Sequence, residues 1–241
     1  MTRLTTCPDA EAVAARAAVL VERGLGRARE ERGEAHIALS GGTTPGRTFE
    51  LLAAGAADWS AVEVWFADER CVPPEDEQSN YRLAAEKLLE PVGLPADRVH
   101  RMEGELGPEL GARRYAAALA ERLGRGAATP PPPLDLVLLG IGPDGHIASL
   151  FPGSSTLRAG EDALCLGVED SPKPPPQRLT LSLAVLRAAR GCLLLATGPS
   201  KADAVAAMLG PPTPHVPASL LRRERLTVIV DDAAAPPPRP R

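Results

Sequence analysis

Aromatic residues are scarce in this chain: three Phe, two Trp and two Tyr make up 3% of 241 residues. A core with so few rings rests mainly on Ala, Leu and Val, and a hydrophobic fraction of 44% is ample for one. No apolar run approaches the length of a membrane span, and Met1 to Ala10 has no apolar stretch of the kind that directs secretion. No membrane role is expected, and the cytoplasm is the expected compartment. The four cysteines, Cys7, Cys71, Cys165 and Cys192, never form a CxxC pair. The four histidines, His36, His100, His146 and His215, show no HExxH or other close metal-ligand spacing. A disulfide framework and a structural zinc site are therefore not expected. Excess positive charge is lacking too. The net charge is −4, which argues against nucleic-acid or membrane-surface binding driven by bulk charge but leaves room for a basic pocket. A monomer is expected, but no heptad or unmistakable apolar surface stripe in the chain sets an oligomeric state.

The chain does carry a regular order of elements. Residues 9–30 read as an amphipathic helix, and Ala35 to Leu39 as a short strand ending in Ser40-Gly41-Gly42-Thr43-Thr44-Pro45. Helical composition resumes from Gly46 to about Ala56. Val62 to Ala67 is a strand, with Asp68-Glu69-Arg70 at its carboxyl end. Ser79 or Asn80 caps a helix through Leu89, Arg98 to Met102 is a short strand, and 109–124 a helix. A proline connector at 129–133 leads to a strand at 134–139 and the turn Gly140-Ile141-Gly142-Pro143-Asp144-Gly145-His146. Strands follow at 164–168, 192–196 and 226–230, with helices at 182–190, after 201 and at 217–223. One α/β domain over 1–232 is expected, an open, mostly parallel sheet with helices on both faces, followed by a disordered tail from 233 to 241. The loops 40–45, 68–70, 140–146 and 197–201 all follow strands, so they meet at the carboxyl edge where such sheets bind ligands.

Each loop has a bland reading beside a chemical one. Ser40 to Pro45 serves as an ordinary strand-to-helix turn with Thr44 as N-cap, or as an anion cradle of bare N–H groups aided by the Ser40, Thr43 and Thr44 hydroxyls. Asp68-Glu69-Arg70, Arg178 and Lys201 are each compatible with solvated surface charge; together they gather cations near that cradle. His146 is either a satisfied core histidine or a proton carrier oriented by Asp144. With no GxSxG elbow in the chain, water is the economical nucleophile and His146 its base. Gly140-x-Gly142-x-x-Gly145 also matches a dinucleotide fingerprint. That reading fails, because Asp144 would oppose a pyrophosphate and Pro152-Gly153 cuts the following segment to little more than one helical turn.

These motifs, with Ser79-Asn80-Tyr81-Arg82, Asp170-Ser171-Pro172-Lys173-Pro174-Pro175-Pro176, Arg178-Leu179-Thr180, Gly198-Pro199-Ser200-Lys201 and Pro217-Ala218-Ser219, resemble the 6-phosphogluconolactonases in order over about residues 36–230. The resemblance implies hydrolysis of 6-phospho-D-glucono-1,5-lactone in the oxidative pentose phosphate pathway. It also implies a Rossmann-like three-layer fold shared with glucosamine-6-phosphate deaminases, and no cofactor or metal. It assigns the phosphate to Ser40, Gly41, Gly42, Thr43 and Thr44 with Arg178 and Lys201 as counter-charges, and catalysis to His146, Asp144, Arg70 and Asp68. Arg70 has several open roles: bridging Asp68 or Asp144, contacting phosphate, or stabilising the oxyanion. The role of Lys173 is open as well. Related deaminases place a carboxylate five residues after the histidine, where this chain has Phe151. A non-catalytic sugar-phosphate sensor on the same fold is the rival reading, but the chain has no helix-turn-helix or basic extension.

Overall fold

Most of the apolar runs assemble into one parallel sheet, and a second, smaller sheet joins the apolar run Cys165–Val168 to two segments that carry charged residues. The computed structural model describes residues 2–124 and 133–236, so most of the expected proline connector and the end of the tail lie outside the described residues. In chain order the elements are β1 (Arg3–Cys7), α1 (Ala10–Arg32), β2 (Ala35–Leu39), α2 (Thr43–Ala54), β3 (Val62–Phe66) and β4 (Asp68–Arg70). Then come α3 (Asn80–Ala84), α4 (Gly107–Arg122), β5 (Leu136–Gly140), β6 (Cys165–Val168) and β7 (Arg178–Leu181). The chain closes with α5 (Leu183–Ala188), β8 (Gly191–Ala196), α6 (Ala202–Met208) and β9 (Leu226–Asp231).

The large sheet has strand order β1-β9-β8-β5-β2-β3, and every neighbouring pair is parallel. Parallel strands covered on both faces lose the alternation of a half-exposed strand; every residue of β2 and β3 is buried. The connections β1 to β2 and β2 to β3 move one way along the sheet, and all later ones move the other way. Right-handed crossovers then place α1 and α2 on one face and the later connections on the opposite face. The direction reverses between β2 and β5, which are hydrogen-bonded neighbours. Their carboxyl ends therefore diverge and open a crevice.

Local chemistry sets the helix limits. The Asp9 side chain accepts the Ala12 N–H at 2.8 Å to start α1, and Gly33, in the left-handed region, donates its N–H to Arg29 to end it. Val13, Ala17, Val21, Leu25 and Ala28 form the buried stripe of α1. Six of the seven aromatic residues are buried, with Trp65, Phe49 and Phe66 among the largest fully covered side chains. Tyr115 on α4 clamps the end of β3, its hydroxyl accepting the Phe66 N–H at 2.7 Å and donating to the Phe66 carbonyl.

Several expectations require correction. Asp68-Glu69-Arg70 and Arg178 to Leu181 are strands, pairing antiparallel with each other and with β6 in the order β4-β7-β6. Their charged residues break the apolar pattern that marks a strand of a parallel sheet covered on both faces. β1 belongs to the large sheet but gives no apolar run, because as an edge strand it has only Cys7 buried. The strand expected at 98–102 is a single bridge between Val64 and Val99. The segment after His146 is a turn closed by Leu150 N–H to the Ile147 carbonyl, without a helix. Residues 217–223 hold a short 3₁₀ turn at Pro217–Leu220 and the first residue of another at Arg223–Arg225, without an α-helix. Helix α2 begins at Thr43 with Gly42 at the N-cap, so Thr44 lies inside the first turn. The packed chain also runs past 232: Ala234 is fully buried and donates its N–H to Asp231.

Candidate active site

At the reversal between β2 and β5 the structure has a cleft of about 400 Å³. The loop after β2 supplies Ser40, Gly41, Gly42, Thr43 and Thr44, and the turn after β5 supplies Gly140, Gly142 and His146. β4 brings Asp68 and Arg70, β7 brings Arg178, and the segments before β7 and after β8 bring Lys173, Thr197 and Lys201. The strand-end loops expected to converge do so. All eleven predicted site residues line this cleft except Asp144, which stands against His146.

The glycine turn holds an acid and an imidazole together. His146 Nδ1 lies 2.5 Å from Asp144 Oδ1. An ionised carboxylate only accepts, so Nδ1 carries the proton and Nε2 keeps its lone pair. Gly142 makes this pairing possible, since a Cβ there would lie 2.0 Å from the His146 ring and 2.4 Å from Asp144. Its backbone fixes the turn as well, with Gly142 N–H donating to the His146 carbonyl at 2.9 Å. Burial holds the His146 pKa below its ordinary value, against the upward pull of Asp144. Asp144 is lowered despite its own burial, because the His146 hydrogen bond and the Lys173 charge favour the carboxylate. The Phe151 ring packs on the imidazole, centroids 4.6 Å apart, and carries the Arg178 guanidinium 5.9 Å from its centre. Next along the wall, Ala148 has φ of 48°, a strained conformation for a residue with a side chain.

The start of α2 presents unclaimed donors. Gly42 has no side chain to cap the helix, and no other side chain does so. The Thr43 and Thr44 N–H groups have no acceptor among the described residues. Thr44 Oγ1 is 2.7 Å from Thr197 Oγ1, which ties this loop to the one after β8. Ser40 Oγ is buried in the cleft without a partner. Such a helix start suits an anion.

Alternation along β4 sends Asp68 and Arg70 to the cleft side and Glu69 to the other. Glu69 is buried and accepts from the backbone N–H groups of Arg70, Asn80 and Tyr81. It anchors the start of α3, where Ser79 serves as the N-cap. Burial pushes the Glu69 pKa up. Asp68 is held by Ser149 Oγ at 2.8 Å and by Asn80 Nδ2 at 3.3 Å. Arg70 bridges neither Asp68 nor Asp144, contrary to one expectation. Its Nη1 donates to the Gln78 carbonyl, and its Nε is buried without a partner. Arg178 sits opposite Arg70 across β4 and β7, with its Nε and Nη2 donating to the carbonyls of Pro175, Lys173 and Pro174.

Asn80, Ser149 and Thr197 are not among the site residues expected from the sequence. Asn80 had a signal, since it follows a capping serine, and its side chain fills the space a Cβ on Gly41 would need, 1.9 Å from Oδ1. Thr197 opens the 197–201 loop and Ser149 follows the glycine turn, but the role of each comes from a partner distant in the chain.

Comparison with known proteins agrees with this architecture. The profile of the family described as glucosamine-6-phosphate isomerases/6-phosphogluconolactonase matches residues 8–230. A 6-phosphogluconolactonase of Mycobacterium tuberculosis is 38% identical over 236 residues, covering 95% of each chain. The crystal structure of 6-phosphogluconolactonase from Thermotoga maritima superposes with a TM-score of 0.83 at 27% identity, over 96% of this chain and 99% of that one. A monomeric glucosamine-6-phosphate deaminase, at 23% identity, shares the fold with a TM-score of 0.79 over 97% and 98% of the two chains. The chain belongs to the glucosamine-6-phosphate isomerase/6-phosphogluconolactonase family.

Proposed function

We propose that this chain is a lactonase that hydrolyses 6-phospho-D-glucono-1,5-lactone to 6-phosphogluconate, with His146 as general base and no metal. The observation that carries the reading is the His146–Asp144 pair, 2.5 Å apart, in a cleft that also holds the bare start of α2. The 6-phosphate rests on the N–H groups of residues 41–44, near the Ser40 hydroxyl, while Arg178 and Lys201 make the potential around it positive. This anchoring sets the lactone carbonyl beside Nε2 of His146.

Neutral His146 takes a proton from water as its oxygen attacks C1. The carbonyl π electrons move to oxygen, giving a tetrahedral oxyanion. On collapse the C1–ring-oxygen bond breaks, and His146 returns a proton to the departing oxygen. Asp144 fixes the tautomer and stabilises the transient imidazolium. The unpartnered Nε–H of Arg70 supports its assignment as an oxyanion donor, with Asp68, held by Ser149 and Asn80, fixing the geometry beside it. Phe151 packs on the His146 imidazole and carries no proton, at the sequence position where the resemblance puts a carboxylate in deaminases, which supports ester hydrolysis over deamination. Among the described residues no group of three or more His, Cys, Asp and Glu is arranged to hold a metal ion. All four cysteines are free thiols, and no helix among the described residues is long and apolar enough to cross a membrane.

The decisive assay is turnover of freshly generated lactone measured against its spontaneous hydrolysis, with glucosamine 6-phosphate deamination run alongside. Acceleration of the first without the second is the expected result. Activity should also survive exhaustive chelation. Loss restored by zinc or magnesium would end the metal-free account.

A further inference from the structure

Two lysines face the cleft without a close counter-charge. Lys173 Nζ comes no nearer to a carboxylate than 3.9 Å, from Asp144 Oδ1, and Lys201 has no ion pair among the described residues. Burial, followed by the charge of Lys173, lowers the Lys201 pKa, so the two cations act on each other across the cleft. Like charges held this way favour an anion between them. Arg178, by contrast, is already committed. Its Nε and both hydrogens of Nη2 serve the carbonyls of Pro175, Lys173 and Pro174 at 3.2 Å. Only Nη1 remains, and one nitrogen cannot form the parallel fork that makes arginine a strong phosphate ligand.

The loop that presents Lys173 is held from within. Ser171 Oγ accepts the Lys173 N–H at 3.2 Å and donates to the Lys173 carbonyl at 2.9 Å. Ser171 N–H donates to the Pro176 carbonyl at 3.0 Å, closing the loop, and prolines flank the lysine on both sides. Loop, serine and buried guanidinium together set where one ammonium points.

We propose that Lys173 is a direct ligand of the substrate phosphate, opposite Lys201, and that Arg178 is a positioning residue that holds the 171–177 loop so that Lys173 reaches it. The identity of the phosphate's carrier rests on the lactonase reading; the anion site does not. Arg178 then contributes its field to the phosphate, and Lys173 contributes the contact.

The test is calorimetric titration of 6-phosphogluconate, inorganic phosphate and unphosphorylated gluconate into the wild type, Lys173→Ala, Arg178→Lys and the double variant. Lys173→Ala should weaken both phosphorylated probes by about tenfold or more, leave gluconate unchanged, and raise KM with kcat nearly intact. Arg178→Lys should weaken the same two probes, but add nothing in the Lys173→Ala background. Additive losses would return Arg178 to direct contact and overturn its positioning role. Unchanged phosphate affinity in Lys173→Ala, or a lowered kcat with KM intact, would overturn the ligand assignment and leave Lys173 acting on Asp144 alone. Should Arg178→Lys fail to fold, Ser171→Ala carries the same test of positioning. Lys173-dependent binding of inorganic phosphate by a protein that does not turn over the lactone would sink the lactonase reading and leave this one standing.

Discussion

The large sheet has an acid-x-histidine pair at each end, and the two have opposite fates. At the amino edge, Glu34 Oε1 is 3.1 Å from His36 Nε2, while His36 Nδ1 accepts the Trp65 indole N–H at 3.2 Å. Both ring nitrogens are therefore occupied. The cations around it are matched as well: Arg122 pairs with Glu34 and Glu63, and Arg32 and Arg190 pair with Asp135. At the carboxyl edge, Asp144 engages one nitrogen of His146 and the other has no partner among the described residues. There Lys201 has no ion pair among the described residues, Arg70 keeps an unpaired Nε–H, and the start of α2 is uncapped. One edge is closed by its own polar groups. The other keeps donors and a lone pair unmatched, which is what a ligand requires.

The sharpest way to break this comparison is to delete each histidine in turn. His146→Ala should lower kcat by at least about 10²-fold with little change in product affinity, whereas His36→Ala should leave kcat intact and lower thermal stability. Near-normal turnover by the first variant would remove the general-base assignment. Lys201→Ala should weaken 6-phosphogluconate binding by about tenfold, read by calorimetry, because a charge-assisted contact in a half-buried cleft is lost. Equal affinity would take Lys201 out of the phosphate site.

The pH profile gives a smaller and signed effect. Neutral His146 is the active form, and burial places its folded pKa below the ordinary 6.5. Activity should thus be full at neutral pH and halve only where the pH has fallen to that lowered value. A kcat/KM acid limb above the ordinary histidine range would contradict the desolvated environment. The smallest effect belongs to the closed edge. Arg122→Ala removes two ion pairs of a partly exposed side chain, so it should cost about 1 kcal/mol or less in unfolding experiments and leave kcat unchanged.

Much of this contrast was legible in the chain and some of it was not. Ala35 to Leu39 and Leu226 to Val230 read directly as buried strands, because parallel strands covered on both faces are continuously apolar. His146 stood out from His36 through its glycine turn, in which Gly142 leaves room for the imidazole. β4 and β7 were hidden because Asp68, Arg70 and Arg178 are polar residues on a sheet that faces the cleft. The resemblance implies Arg178 as a counter-charge to the phosphate, but the sequence gives no sign that its guanidinium also donates to the carbonyls of Pro175, Lys173 and Pro174. Ser149 beneath Asp68 and Thr197 beside Thr44 join residues 81 and 153 positions apart, so no local pattern shows these pairings.

By itself the sequence determined which segments bury, where the chain turns sharply, and that acid and imidazole lie two residues apart. Those properties follow from side-chain polarity and from the backbone freedom of glycine, both local. Only the tertiary structure decided which histidine keeps a free nitrogen, which cations remain unpaired, and which arginine is tied to its own loop. The reason is physical: a polar group is available to a ligand only when folding brings it no other partner, and folding draws those partners from the whole chain.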